Sequence, residues 1–120
     1  MRRLMSSLVA TVTTIMLLGT VTVAPEAVAA SAAEDGKAVA FDRKKGNCMT
    51  CHVMDDATLA GDVGPPLLAM KARFPDKAVL RAQIYDATKM NPQSMMPPFG
   101  KYGVLTDKEI DNIVEYLYTL

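Results

Sequence analysis

The sequence Cys48-Met49-Thr50-Cys51-His52 constrains the fold more than any other feature of this chain, because it places two thiols and an imidazole within about one turn of backbone. Residues i and i+3 of a helical turn lie on one face, so both cysteines can reach the vinyl groups on one edge of a porphyrin. The adjacent His52 then lies under the ring, where a neutral imidazole nitrogen can bind iron. This spacing is typical of c-type haem attachment. It predicts one covalently bound haem c (iron), with Cys48 and Cys51 as thioether partners and His52 as an axial ligand.

Other uses of two cysteines and a histidine have less support in this sequence. A thiol–disulfide redox pair is typical of a βαβ context, and no alternating strand pattern surrounds Cys48 and Cys51. A zinc site needs further Cys or His ligands, but the chain has two cysteines and one histidine. A disulfide between the two cysteines in an oxidising compartment is the remaining alternative.

The first 29 residues have the pattern of a secretory signal peptide. Arg2 and Arg3 precede a short apolar stretch, and the segment ends on Ala27-Val28-Ala29, small residues that suit signal peptidase. We therefore expect cleavage after Ala29 and a periplasmic protein without a membrane span after cleavage. Residues 30–120 then form one small domain with a single haem. A transmembrane anchor is the alternative, but the apolar run is shorter than a membrane span and is diluted by Thr. The 13 basic residues balance the 13 acidic ones, so the charge does not indicate a nucleic-acid partner.

The remaining pattern predicts an all-α fold of short helices and long loops, because strand alternation is absent. After a short polar lead-in over residues 31–35, we expect a first helix over residues 36–45 and a second over residues 76–89, with Asp76 as its N-cap. The last helix is the best marked, since Thr106 and Glu109 have the spacing of a capping box.

Such a small domain has little core of its own, so we expect the haem to substitute for one. The apolar residues expected to cover it are Leu67, Leu68, Phe74, Ile84 and Phe99.

The second axial ligand has to come from a residue other than histidine. Three of the nine methionines lie far enough from His52 along the mature chain, namely Met90, Met95 and Met96, whereas Met70 is expected in the core. Met96 is the best candidate because Pro97 and Pro98 fix φ for the next two residues and stiffen the loop, and Met95 is the alternative. A thioether paired with His raises the haem potential and suits reversible electron transfer.

The segment Gly64-Pro65-Pro66-Leu67 follows His52 after a short loop. A ligating histidine normally donates its other ring N–H to an acceptor that fixes the ring, and a proline carbonyl can be that acceptor. An ordinary Pro-rich turn explains the same residues equally well.

The order of these features resembles the class I cytochrome c family, in which a helix precedes C-x-x-C-H and a Gly-Pro turn, a Met-Pro loop and an amphipathic C-terminal helix follow. The resemblance covers nearly all of the mature chain. It implies that the Pro65 carbonyl is the acceptor for His52, and that the first and last helices cross. One departure is Lys44, which stands where the family usually has an aromatic residue; Phe41 lies one turn earlier, so we expect the helix-crossing contact to be shifted.

A narrower resemblance is to the SoxX subunits of the SoxAX cytochromes of bacterial sulfur oxidation. It rests on the joint order of the strings at residues 46–48, 64–67, 70–76, 91–92, 96–100 and 114–120. It implies a heterodimer with a SoxA-like c-type cytochrome, forming an L-cysteine S-thiosulfotransferase that joins thiosulfate oxidatively to a cysteine of a SoxYZ-like carrier protein. This chain is then the electron-transfer subunit, with a small c-type cytochrome as electron acceptor, and it has no third cysteine to carry sulfur chemistry. The alternative is a freestanding, diffusible periplasmic class I cytochrome c.

Overall fold

The structure, a computed structural model, describes residues 25–54 and 57–120. Four α-helices follow one another in these ranges: α1 (Pro25–Phe41), α2 (Met70–Arg73), α3 (Lys77–Tyr85) and α4 (Asp107–Leu117). Single 3₁₀ turns cover Cys48–Thr50 and Ala87–Lys89. The described parts of the chain contain no β-strand, which confirms the predicted all-α fold. No helix within them is both long and apolar enough to cross a membrane.

The first helix has different bounds from those expected. It begins at Pro25 rather than at residue 36 and ends at Phe41 rather than at residue 45, so the expected lead-in over residues 31–35 is helical. The early start has a local cause, because proline is favoured in the first turn and alanine is the best helix former. The early end is caused by Asp42, whose carboxylate accepts a hydrogen bond from Lys44 N at 2.8 Å and whose carbonyl accepts from Lys45 N and Asn47 N.

Residues 1–24 of the predicted signal peptide lie outside the described residues. Its last part, residues 25–29, forms the beginning of α1. Cleavage after Ala29 would therefore shorten α1 at its exposed end and leave residues 30–41 to pack on α4.

The crossing of α1 and α4 brings the two ends of the domain together. The helices are in close contact at Gly36, where an added Cβ would lie 1.9 Å from the carbonyl oxygen of Asn112. One turn further on, the Phe41 ring meets the Tyr116 ring edge to face, with centroids 6.3 Å apart. The aromatic contact at the helix crossing, which we expected to be shifted from position 44, therefore lies at Phe41. An ion pair between Lys45 and Glu109 also joins this end of the chain to α4.

Helices α3 and α4 begin at the caps that the sequence predicts. The Asp76 carboxylate accepts from Ala78 N at 2.8 Å, and Thr106 and Glu109 form a reciprocal capping box. The second helix is shorter than expected, because the α-helix ends at Tyr85 and Asp86 starts a separate 3₁₀ turn. The short helix α2 was not predicted.

The apolar core lies between α4, α1, α3 and the loops that surround the C-x-x-C-H turn. Met70 is buried there as expected. The inner face of α4 supplies the largest part of the core, with Ile110, Ile113, Val114, Tyr116 and Leu117.

Candidate haem site

A cavity of about 590 Å³ opens beside the C-x-x-C-H turn. Two chain segments supply most of its lining: residues 43–52, which contain the motif, and residues 91–99, which contain the candidate methionines. Val63 and Pro65 complete it. The volume is within the usual range of about 300–1,000 Å³ for cofactor pockets.

The motif enters the cavity wall through an unusual backbone conformation. Asn47 has φ 45° and ψ 37°, in the left-handed region that asparagine tolerates better than most residues. The chain then forms the 3₁₀ turn Cys48–Thr50, and the amides of Cys51 and His52 both donate to the carbonyl of Cys48. This tight turn brings both thiols and the imidazole to the same cavity.

The His52 ring is fixed by the Gly-Pro turn that follows it. Its Nδ1 lies 2.7 Å from the carbonyl oxygen of Pro65. With Nδ1–H as the donor, Nε2 keeps the lone pair that an iron ion would need. The sequence left two interpretations of Pro65 open, an acceptor for the ligating histidine and an ordinary Pro-rich turn. The distance from Nδ1 to the Pro65 carbonyl is that of the acceptor.

Gly64 allows this arrangement because it has no side chain. An added Cβ would lie 2.4 Å from His52 Cε1, 2.6 Å from Nδ1 and 2.9 Å from Nε2, so the backbone of residue 64 lies directly against the imidazole. The turn is held from outside by Arg73, whose guanidinium donates to the Pro66 carbonyl at 2.6 Å. The role of Arg73 has no signal in the sequence, because the contact depends on how α2 packs.

The two cysteines are free thiols, and both line the cavity. Burial raises the pKa of the Cys48 thiol to about 11, and the neighbouring Cys51 adds to the effect. A redox-active dithiol is typical of a βαβ context, and the described residues contain no β-strand, so the fold gives the thiol–disulfide interpretation no support. No cluster of three or more potential Cys, His or acidic metal ligands occurs in the described ranges, which gives the zinc interpretation no support either.

Both candidate methionines line the cavity, but their environments differ. Met96 is half-buried and packs on the apolar core, and its amide donates to Ser94 Oγ at 3.2 Å. Met95 is 82 % exposed. A ligand has to hold its sulfur in one place, so the anchored and half-buried Met96 fits that role better than Met95. Met90 is exposed and does not line the cavity.

The apolar residues expected to cover the haem are placed differently from the expectation. Phe99 lines the cavity, but Leu67, Leu68, Phe74 and Ile84 do not. Ile84 is buried in the core, because it lies on the inner face of α3, while Leu68 is exposed. The wall instead contains Asn91, Gln93 and Ser94, which form a compact turn in which Gln93 N donates to the Asn91 side chain. The Asn-Pro pair at residues 91–92 is the sequence signal that could have indicated this turn.

The residues present therefore fit a covalently bound haem. Two thiols, an oriented imidazole and a half-buried thioether share one cavity with the Phe99 ring, and Gly64 leaves room for the imidazole. Helices packed around this set define a c-type cytochrome domain.

Comparison with known proteins gives the same class. The family model of cytochrome c oxidase, cbb3-type, subunit III matches residues 31–117, and the chain belongs to this family of cytochrome c domains. Such a domain carries covalently bound haem and functions in electron transfer.

A similar curated protein is an uncharacterized lipoprotein of Aquifex aeolicus (strain VF5). It is 40 % identical over 76 residues, which cover 62 % of this chain and 37 % of the relative. The chain thus spans less than half the length of this relative.

Proposed function

We propose that this chain is an exported monohaem cytochrome c that transfers electrons, with His52 and Met96 as the axial ligands of the haem iron. The observation that carries this proposal is the single cavity that brings the C-x-x-C-H turn and the methionine loop together. A bound haem would supply reversible one-electron chemistry, and the thioether ligand would favour its reduced form.

The residues around the cavity act by positioning. Cys48 and Cys51 would keep the haem attached outside the cytoplasm, where a lost cofactor is not recovered. Pro65 and Gly64 set the orientation of the imidazole, and the loop over residues 91–99 holds the thioether. The similarity to a lipoprotein supports a location outside the cytoplasm, in agreement with the signal-like residues 1–29.

The more specific proposal is that the chain is the SoxX-like subunit of a SoxAX-type L-cysteine S-thiosulfotransferase. In that reaction an S–S bond forms between thiosulfate and the carrier cysteine, and an electron pair and a proton are released. This chain would receive the electrons from the SoxA-like subunit and pass them to a small c-type cytochrome. The support is the joint order of the sequence strings, together with two exposed apolar residues at the cavity, Val63 and Met95, which are typical of a surface that a stable partner covers.

A freestanding diffusible carrier is the second candidate. It is favoured by three consecutive cations that also line the cavity, Arg43, Lys44 and Lys45, of which Lys45 is paired with Glu109. Among the residues that the structure describes, 25–54 and 57–120, no acidic one lines the cavity with them. Charged groups around an electron-exit site suit brief, electrostatically steered encounters.

Native affinity purification of the tagged chain from the periplasm of its source cells tests the choice. The SoxAX proposal predicts an equimolar second chain that also bears haem, together with thiosulfate-dependent haem reduction when the carrier protein is added. Val63→Asp should weaken this complex, whereas Leu59→Asp, at an exposed apolar site that does not line the cavity, should not. A lone red monomer at low salt would contradict the SoxAX proposal and favour the diffusible carrier.

A further inference from the structure

The methionine loop is fastened at both ends to one short stretch of chain, residues 85–88. At its beginning, the amides of Met90 and Asn91 donate to the carbonyl of Ala87. At its end, the amides of Gly100 and Lys101 donate to the carbonyl of Tyr85 at 3.1 and 3.2 Å. Every cavity-lining residue of the loop, from Asn91 to Phe99, lies between these two attachments.

We call residues 85–88 and the two loop ends attached to them the neck of the loop. Asp86 lies at the centre of this neck and is its most buried ionisable side chain, at 2 % exposure. One carboxylate oxygen accepts from the hydroxyl of Thr88 at 2.5 Å and from its amide at 3.2 Å. The other forms an ion pair with Lys101 Nζ at 3.3 Å. A single carboxylate therefore holds the turn that starts the loop and the lysine that ends it.

A buried carboxylate is retained only where its partners compensate for the lost hydration. The Thr88 hydroxyl and Lys101 hold the pKa of Asp86 below its usual range, so the group is a carboxylate at neutral pH. Structure within the loop gives little independent support, since its amide contacts are short-range turns such as Ser94 N to Asn91 O. Beyond its own packing on the apolar core, the position of Met96 therefore depends on the attachments of the loop to residues 85–88.

We infer that Asp86, through its ion pair with Lys101, is a positioning residue that holds the methionine loop closed and so keeps Met96 on the haem iron. This inference rests on the proposed ligation by Met96. Neither residue lines the cavity, so they act on the ligand through the loop. Opening the neck would expose the iron to an external ligand, whereas the helices would remain packed.

Imidazole, which competes with a thioether for ferric haem iron, is the probe that tests the inference in the purified, haem-loaded protein. Lys101→Met should raise the apparent affinity for imidazole by about fivefold, the effect expected for a partly buried ion pair. Lys101→Arg should restore the wild-type affinity. Lys77→Met is the matched control, because Lys77 forms a comparable ion pair with Glu115 away from the loop, and it should leave the affinity unchanged.

Asp86→Asn removes the carboxylate of the same ion pair. It should weaken the sulfur-to-iron charge-transfer absorption of the ferric protein, because Met96 would be held less firmly. Faster hydrogen exchange at the amides of Gly100 and Lys101 in both variants would support the inference. Wild-type imidazole affinity in Lys101→Met and Asp86→Asn, with normal ligation in the parent, would overturn the inference alone. A parent protein that binds imidazole as tightly as Met96→Ala would overturn the ligation itself, and the inference with it.

Discussion

Replacement of Gly64 by alanine should disturb the haem through His52. The new Cβ would lie 2.4 Å from Cε1 of the imidazole, whereas ordinary contacts begin near 3.4 Å, so the ring has to retreat by about 1 Å or the turn has to move. Either shift breaks the 2.7 Å hydrogen bond from Nδ1 to Pro65. Gly64 does not have a positive φ, so the substitution adds no left-handed strain of its own.

The magnitude follows from these two losses. A lost hydrogen bond costs about 1 kcal/mol, and overpacking costs about 1–3 kcal/mol. We therefore expect Gly64→Ala to lower the free energy of unfolding of the haem-loaded protein by about 2–4 kcal/mol. It should also change the haem absorption spectrum and the reduction potential, because the axial imidazole is displaced.

Guanidinium denaturation and spectroelectrochemistry measure the two effects. Gly103→Ala is the matched control, since Gly103 has φ 67° and no atom within 4 Å of an added Cβ. That variant should lose about 1 kcal/mol from left-handed strain and keep the parental spectrum and potential. The reasoning would be refuted if Gly64→Ala kept the stability, spectrum and potential of the parent.

The remaining predictions concern the second ligand, the helix crossing and the capping box of α4. Met96→Ala should leave the haem attached but lower its potential by on the order of 0.1 V, a part of the roughly 0.8 V range that axial ligands control; a potentiometric titration with no change would remove Met96 from the ligand set. Gly36→Ala should destabilise the protein by about 1–3 kcal/mol in a denaturant titration despite its better helix propensity, because its Cβ would overlap the Asn112 carbonyl at 1.9 Å; equal or higher stability would show that the helices do not cross there. The ion pair with Lys45 and the capping bond to Thr106 lower the pKa of Glu109 to about 2 from 4.5, so its contribution is complete above pH 4.5 and is lost as the pH falls towards 2. Because Lys45 is half-exposed, the contribution is roughly 1 kcal/mol. When the free energy of unfolding is measured against pH, Glu109→Gln should lack this part of the loss at low pH. The same pH dependence in Glu109→Gln and the parent would contradict the prediction.

The sequence predicts the parts of this fold whose causes are local. The caps at Asp76 and Thr106 are set by a side chain and an amide two or three residues away, and the C-x-x-C-H turn is itself only five residues long. The residues alone left the Pro65 carbonyl and an ordinary Pro-rich turn as equal alternatives, and the resemblance to class I cytochromes c implied the carbonyl. The helical class and the cytochrome c family follow from the same signals.

The remaining parts depend on contacts between distant residues. The approach of Gly36 to Asn112 and the pairing of Lys45 with Glu109 join opposite ends of the chain, and no local pattern indicates them. The same is true of Asp86, which looks like an ordinary turn residue until Lys101 is placed beside it. Ile84 was expected at the haem because it is apolar, but only the packing of α3 on α4 decides that it belongs to the protein core.

The central claim is that Cys48, Cys51 and His52 form the attachment site of one haem. The most direct test is the intact mass, under denaturing conditions, of the chain matured in a periplasm that has the cytochrome c maturation system. The account predicts the mass of the processed chain plus one haem, retained after acid–acetone extraction, and a mass without haem for Cys48→Ala combined with Cys51→Ala. A colourless chain with a Cys48–Cys51 disulfide and no added haem mass would contradict the account.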